Sequence, residues 1–217
     1  MSEERSVGII LRTRRLTETS LIVHWLTPEL GRIAAVARGG LRPKSPFRGK
    51  LDLYFECEFT CSLSRRSELH ALREVVVRDY HSKLRTDLNC LNAAAYYSHL
   101  IEQTTETETP LPELYPLFGS TLREMGSAVP TLRAMAAFEA RFLLVMGLAP
   151  NPETAGLTQG AVRLLRTLIE ENTTPEEGPP SGGGEDLEVS RFLAGRLVDN
   201  FGRVPKSRAQ LMEGLEN

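Results

Sequence analysis

The sequence is poor in the residues that build metal centres and covalent active sites. Its 217 residues include only three cysteines, four histidines and one tryptophan. The cysteines, Cys57, Cys61 and Cys90, form no C-x-x-C pair, and the histidines are isolated from one another. Zinc sites need such ligands at close spacing. No G-x-S-x-G motif or other nucleophile–base signature is present. These absences predict a protein with no metal, no cofactor and no catalytic residues.

Long apolar segments are also missing. No run of about 18 apolar residues occurs, so the sequence predicts no membrane-spanning helix. The first residues, MSEERSV, are charged and do not resemble a secretion signal. The low number of cysteines is typical of a reducing compartment. We therefore expect a cytoplasmic protein, and the composition of 41% hydrophobic and 25% charged residues is typical of a globular one.

The charges are divided unevenly along the chain. The formal net charge is −2, but residues 1–85 carry 16 basic and 10 acidic side chains, whereas residues 86–217 carry 10 basic and 18 acidic ones. Such asymmetry indicates two modules, of which the first has a polyanion as its partner.

The first 80 residues have the pattern of β-strands. Apolar and β-branched runs occur at VGIILRT, SLIVHWLT, RIAAVA and LHALREVVV, and residues 52–63 alternate strictly between apolar and polar. Five short antiparallel strands without a long helix predict a small closed barrel. Beyond residue 80 the apolar spacing becomes helical, and five helical segments predict an all-α domain over residues 81–217. We expect the proline- and glycine-rich residues at about 172–185 to form a flexible loop.

The stretch from Arg32 to Lys50 holds six basic residues and no acid. Its charges are free to neutralise phosphates, and loops of small barrels often engage nucleic acid, so we expect a phosphate-binding loop rather than a merely solvated one. Gly49 and Lys50 do not belong to a P-loop, because Leu51 follows them and the glycine spacing is wrong. Phe47 inside this stretch and Tyr54 on the polar face of the fourth strand are candidates for stacking on bases, or else core residues.

Residues 8–54 resemble the amino-terminal region of the RecO family of DNA repair proteins. The resemblance lies in the order and spacing of TETSLIV, LTPELGRI and ARGGLRPKSPFRG, and FEARFLLVMGLAP and GRVPKSR resemble family segments farther along. It implies an oligonucleotide-binding (OB) barrel over residues 1–80 followed by a helical domain, an α+β protein. One departure is clear: many members carry a four-cysteine zinc module where this chain has LAPNPETAGLTQG. Zinc is therefore not expected here either.

The resemblance also implies a function. Members of the family bind single- and double-stranded DNA, anneal complementary strands, and act with RecR to load RecA onto DNA coated by single-strand-binding protein. By position, it makes Arg38, Arg42, Lys44, Arg48 and Lys50 candidates for DNA contacts, with Arg14 and Arg32 as weaker ones. A groove in the helical domain would take the carboxyl-terminal tail of single-strand-binding protein, with a basic rim from Arg133, Arg141, Lys206 or Arg208. The alternative is a general OB-fold binder of single-stranded nucleic acid without mediator activity.

Overall fold

The computed structural model describes residues 3–152, 156–170 and 184–215. The chain forms two compact units. The first comprises Met1–Lys83 and Thr105–Gly126, and the second comprises Leu84–Thr104 and Ser127–Asn217. Most of the predicted flexible loop, residues 172–183, lies outside the described residues. Gly184 and Glu185 belong to a helix.

The first unit is built on a closed β-barrel. Its strands are β1 (Glu3–Arg15), β2 (Leu21–Thr27), β3 (Gly31–Ala37), β4 (Glu56–Ser62) and β5 (Leu69–Asp79). They are ordered β1-β2-β3-β5-β4, and β4 pairs with β1 to close the ring. This is the five-stranded topology of an OB-fold. The predicted α+β class and barrel are confirmed.

One detail of the prediction is wrong, because the strands are not all antiparallel. β3 and β5 pair in parallel, with Ala34 opposite Leu69 and Val36 opposite Ala71. The reason is geometric: strand directions cannot alternate all the way around a closed ring with an odd number of strands. A five-stranded barrel therefore needs a parallel pair, and here the long β3–β4 connection makes it possible.

The inner face of the barrel is apolar, as the alternation in β4 predicts. Trp25 stacks on Phe59 with ring centroids 4.4 Å apart, and Cys57 and Cys61 lie in the same buried cluster. Burial raises the pKa of the Cys57 thiol to about 12 and that of Cys61 to about 11. Both thiols therefore stay neutral and act as small core side chains.

In the described residues, six α-helices follow the barrel strands. They are α1 (Leu88–Thr104), α2 (Leu114–Glu124), α3 (Leu132–Val145), α4 (Gln159–Ile169), α5 (Gly184–Phe201) and α6 (Ser207–Leu215). A short 3-10 helix, Ser82–Arg85, precedes α1. The sequence pattern predicts the first five helices, with boundaries shifted by several residues, but not α6.

The segment that contains α2 packs on the barrel. The Tyr115 hydroxyl donates to Glu56 Oε1 at 2.7 Å, and Arg123 Nη1 lies 3.0 Å from Glu56 Oε2. Before α2, the Glu108 backbone N–H donates to the Arg32 carbonyl at 2.8 Å. Gly31 allows this close approach: its φ is +66°, and an added Cβ would clash with the Thr109 carbonyl. Residues 105–126 therefore cover one side of the barrel.

A buried polar network ties the second unit together. Glu139 of α3 has no solvent exposure, and it accepts hydrogen bonds from the Tyr96 hydroxyl at 2.6 Å and from Arg208 Nε at 2.7 Å. Arg208 also donates from Nη2 to Glu139 Oε2 at 3.1 Å and to the Ser190 carbonyl at 2.9 Å. The carboxylate and guanidinium compensate each other, and the contacts join α1, α3, α5 and α6.

Candidate nucleic-acid interface

The basic residues between β3 and β4 lie on a series of hydrogen-bonded turns. We call residues 38–50 the basic loop. Five of its backbone N–H groups donate to the carbonyl three residues earlier, as in β-turns; they belong to Gly40, Arg42, Ser45, Arg48 and Lys50. Gly39 and Gly49 have φ of +67° and +72°, the left-handed region that glycine enters at little cost. The glycines thus serve defined turns.

The basic loop is attached to the barrel at two places. The Phe47 side chain is only 6% exposed and belongs to the barrel core. The Leu41 N–H donates to the Thr19 carbonyl at 2.9 Å, and the Gly39 N–H donates to Ser20 Oγ at 3.2 Å. These bonds place the loop next to the β1–β2 connection. The loop is therefore held by a buried ring and by backbone hydrogen bonds.

Most of the basic residues of the loop are exposed to solvent. Four of the five predicted contacts are exposed and one is half-buried; they are Arg38, Arg42, Lys44, Arg48 and, half-buried, Lys50. Arg48 Nη1 donates to the Pro43 carbonyl at 3.1 Å, a neutral partner that leaves the guanidinium charge uncompensated. In the part of the chain that the structure describes, none of the five forms an ion pair with a carboxylate. The loop offers positive charge to an external anion.

Arg14 and Arg32, the weaker candidates, lie outside the basic loop, on the barrel strands. Together with Arg12 they surround His24 of β2, and β1 places Arg12 directly opposite that histidine. Burial, and then the three arginines, lower the pKa of His24 to about 4, so the imidazole is neutral at pH 7. Arg32 is tied down through its Nε, which donates to Thr105 Oγ1 at 2.6 Å. Sequence analysis does not select Arg12, although its place two residues before Arg14 on a strand is a usable signal.

The two aromatic candidates are not available for stacking, and here the sequence prediction needs correction. Phe47 is the buried anchor of the loop, and Tyr54 is 4% exposed. Tyr54 precedes β4 in a turn with φ of +65°, so the strand alternation does not extend to it. Its ring meets Phe118 of α2 edge-on, at 6.4 Å between centroids. Neither ring presents a face to a base.

Four basic residues of the helical unit are candidates for the rim of a groove. Three of them, all arginines, are bonded within that unit. Arg133 Nε lies 3.0 Å from Asp186 Oδ1, Arg141 Nε donates to the Leu168 carbonyl at 3.0 Å, and Arg208 binds Glu139. The fourth, Lys206, is exposed. These contacts make the three arginines part of the helical fold, and they give no support to a groove lined by these side chains.

Among the described residues, no group of three or more histidine, cysteine or acidic side chains could hold a metal ion. Cys57, Cys61 and Cys90 are buried thiols. No helix of the described segments has the length and apolar character needed to cross a membrane.

The strand order and the closed barrel define an OB-fold unit with an exposed cationic loop, and the chain adds a helical unit to it. Comparison with known families makes this specific. The model of "Recombination protein O N terminal" matches residues 1–81, and that of "Recombination protein O C terminal" matches residues 85–216. The chain belongs to the RecO family.

Similar curated proteins carry the same family name. The chain is 33% identical over 144 residues to the DNA repair protein RecO of Rhodopirellula baltica, an alignment that covers 66% of this chain and 53% of the relative. It is 29% identical over 154 residues to the DNA repair protein RecO of Listeria monocytogenes serotype 4b, covering 71% of this chain and 60% of that protein. The chain therefore spans between about half and three fifths of the length of these relatives.

Proposed function

We propose that this protein is a DNA-binding recombination mediator that acts in DNA repair. It binds single- and double-stranded DNA without marked sequence preference, anneals complementary strands, and acts with RecR to load RecA onto DNA covered by single-strand-binding protein. The observation that carries the proposal is the basic loop: five cations without a carboxylate partner on an OB barrel, in a chain of this family. The relatives' printed name, DNA repair protein RecO, supports it.

The mechanism starts with electrostatic capture of the DNA backbone. Each phosphate that a loop cation neutralises releases a condensed counterion, which is favourable at low salt and independent of base sequence. The turns of the loop and the Phe47 anchor hold the backbone in place beforehand, so little ordering is needed on binding. Weak, sequence-independent contacts let two bound strands slide until complementary segments meet. No step requires the protein to make or break a covalent bond.

The strand-face arginines around His24 offer a second place for backbone contacts. OB-folds use the surface of strands β2 and β3 and the neighbouring loops for oligonucleotides. Arg14 is exposed on the adjoining strand β1, and the neutral imidazole adds no charge of its own at pH 7. We propose that this face and the basic loop together give the protein room for more than one strand. We propose that the protein acts on the bacterial chromosome, in the cytoplasm.

The proposal is tested by strand annealing on complementary oligonucleotides coated with single-strand-binding protein, with and without RecR. We expect the protein to accelerate annealing, and we expect RecR to change its ability to start RecA filaments on the coated strand. The triple substitution Arg42→Ala, Lys44→Ala and Arg48→Ala should remove most of the acceleration. DNA binding without any acceleration, and without an effect of RecR, would instead identify a general single-strand binder.

A matched control uses three exposed cations of the helical unit. Arg163, Arg191 and Arg203 are exposed, and together they carry the same charge of +3 as the three loop cations. Their triple alanine variant changes the net charge by the same amount and should anneal normally. Equal losses in both variants would assign the effect to overall charge and would remove the basic loop from the mechanism.

A further inference from the structure

A pocket of about 400 Å³ opens beside the basic loop. Its lining combines apolar side chains, two glycines and two guanidinium groups: Leu21, Gly40, Leu41, Pro43, Phe47, Gly49 and Leu51, with Arg42 and Arg48. All of these residues belong to the barrel unit. An apolar cavity with a few charged groups is the usual composition of a site for a small ligand or for one part of a larger one.

Open space and one exposed apolar side chain characterise the loop side of the pocket. Gly49 has φ of +72°, and an added Cβ there would meet no atom within 4 Å. On the other side Leu41 is 37% exposed, although it stands in the middle of a cationic loop. Its N–H is bonded to Thr19, so its backbone is held in place. An apolar side chain held at the surface among arginines suits a ligand that is itself apolar next to negative charge.

We propose that this pocket takes one unstacked nucleobase of single-stranded DNA, while Arg42 and Arg48 bind the phosphates on either side of that nucleotide. The inference rests on the proposed function and extends it to the form of DNA that is bound. A nucleotide has the required chemistry. Its base is flat with apolar faces, and the sugar that carries the base is joined to a phosphate on either side. The volume lies near the lower end of the range for ligand sites, about 300–1,000 Å³, which suits one base rather than a folded partner.

The pocket also gives a physical reason for discrimination between single and double strands. In a duplex both faces of each base are stacked and its edge is paired. A base could enter the pocket only by flipping out of the helix, which costs stacking and pairing energy. A single strand presents bases that are already available. Duplex DNA can still use the loop cations, so it should bind through phosphates alone and more weakly.

The test compares a thymidine oligomer of about 15 nucleotides with an abasic oligomer of equal length, in which tetrahydrofuran replaces every nucleoside. Both carry the same phosphates, so only the bases differ. Fluorescence anisotropy titration should give about tenfold tighter binding of the thymidine oligomer, which corresponds to about 1.4 kcal/mol for one base placed in the pocket. The Leu41→Ser variant should lose most of this ratio and keep its affinity for the abasic oligomer. Arg42→Ala should weaken binding of both oligomers.

A control variant separates the pocket from ordinary surface stacking. Tyr80 is an exposed aromatic residue of the same unit, at 54% exposure, and Tyr80→Ala should keep the thymidine preference. A preference that disappears in Tyr80→Ala and persists in Leu41→Ser would overturn the pocket assignment. Equal wild-type affinity for the two oligomers would overturn it as well, while leaving DNA binding by the basic loop intact. Failure of the wild type to bind either oligomer would overturn the proposed function itself.

Discussion

The salt dependence of DNA binding gives the sharpest test of the basic loop. The perturbation is the triple substitution Arg42→Ala, Lys44→Ala and Arg48→Ala, which removes three exposed cations that form no ion pair in the described structure. Arg38 and Lys50 remain. Since Phe47 and the backbone bonds to the β1–β2 connection are untouched, we expect the barrel to fold normally.

The magnitude follows from counterion release. On single-stranded DNA each neutralised phosphate contributes about −0.7 to the slope of log K against log salt. If each of the five loop cations neutralises one phosphate, the loop supplies a slope of about −3.5, which falls to about −1.4 in the variant. When the salt concentration rises from 50 to 200 mM, the loop cations then lower the binding constant roughly 130-fold in the wild type and roughly 7-fold in the variant.

The assay is fluorescence anisotropy with a labelled thymidine oligomer at several potassium chloride concentrations. We expect lower affinity and a slope that is smaller in magnitude by about 2. The control variant with Arg163, Arg191 and Arg203 replaced by alanine should keep the wild-type slope, because those cations lie in the helical unit. A wild-type slope in the loop variant would show that the basic loop does not contact phosphates.

Three further predictions concern the fold. Phe47→Ala should lower the free energy of unfolding in urea by about 3–5 kcal/mol, because it empties a place in the barrel core; unchanged stability with reduced DNA affinity would instead support a stacking role. Glu139→Ala should cost about 3–5 kcal/mol by leaving Arg208 buried without its carboxylate. Replacing the whole network by apolar residues, with Glu139→Leu, Arg208→Met and Tyr96→Phe together, should recover most of that loss in the same measurement, because no buried polar side chain of the network is then left unpaired. His24, whose pKa in the folded chain is about 4 against the ordinary value of 6.5, binds its proton more readily in the unfolded chain, so stability should be lost as the pH falls from about 6.5 to 4. Thermal unfolding of His24→Asn across this range should show a smaller loss, and an identical pH profile would contradict the assignment.

The period-two alternation of β4 is strong enough to predict which side chains face the barrel core, because it depends only on local geometry. Tyr54 shows where that reasoning ends. The alternation includes it, but a turn with positive φ rotates its side chain toward α2. A backbone turn leaves no trace in a hydrophobic pattern unless glycine or asparagine marks it.

Phe47 and the segment 105–126 were not predictable for a related reason. A phenylalanine inside a cationic, glycine-rich stretch has no periodic neighbours that would identify it as core, and its burial depends on how the loop returns to the barrel. The return of Thr105–Gly126 to the first unit depends on long-range contacts such as Tyr115 with Glu56. The charge of the candidate site is thus readable from sequence, whereas its shape and its pocket are not.

Two groups of cations in this chain differ in whether a carboxylate lies beside them. Arg123, Arg133 and Arg208 each lie beside a carboxylate of their own unit, so replacing one leaves an acid uncompensated and disturbs the fold. The cations of the basic loop have no such partner, and several like charges within 13 residues repel one another. The loop therefore gains no folding stability from its charge. Its neutralisation should leave stability unchanged or slightly higher, so a loss of DNA affinity in the loop variant can be assigned to lost contacts rather than to unfolding.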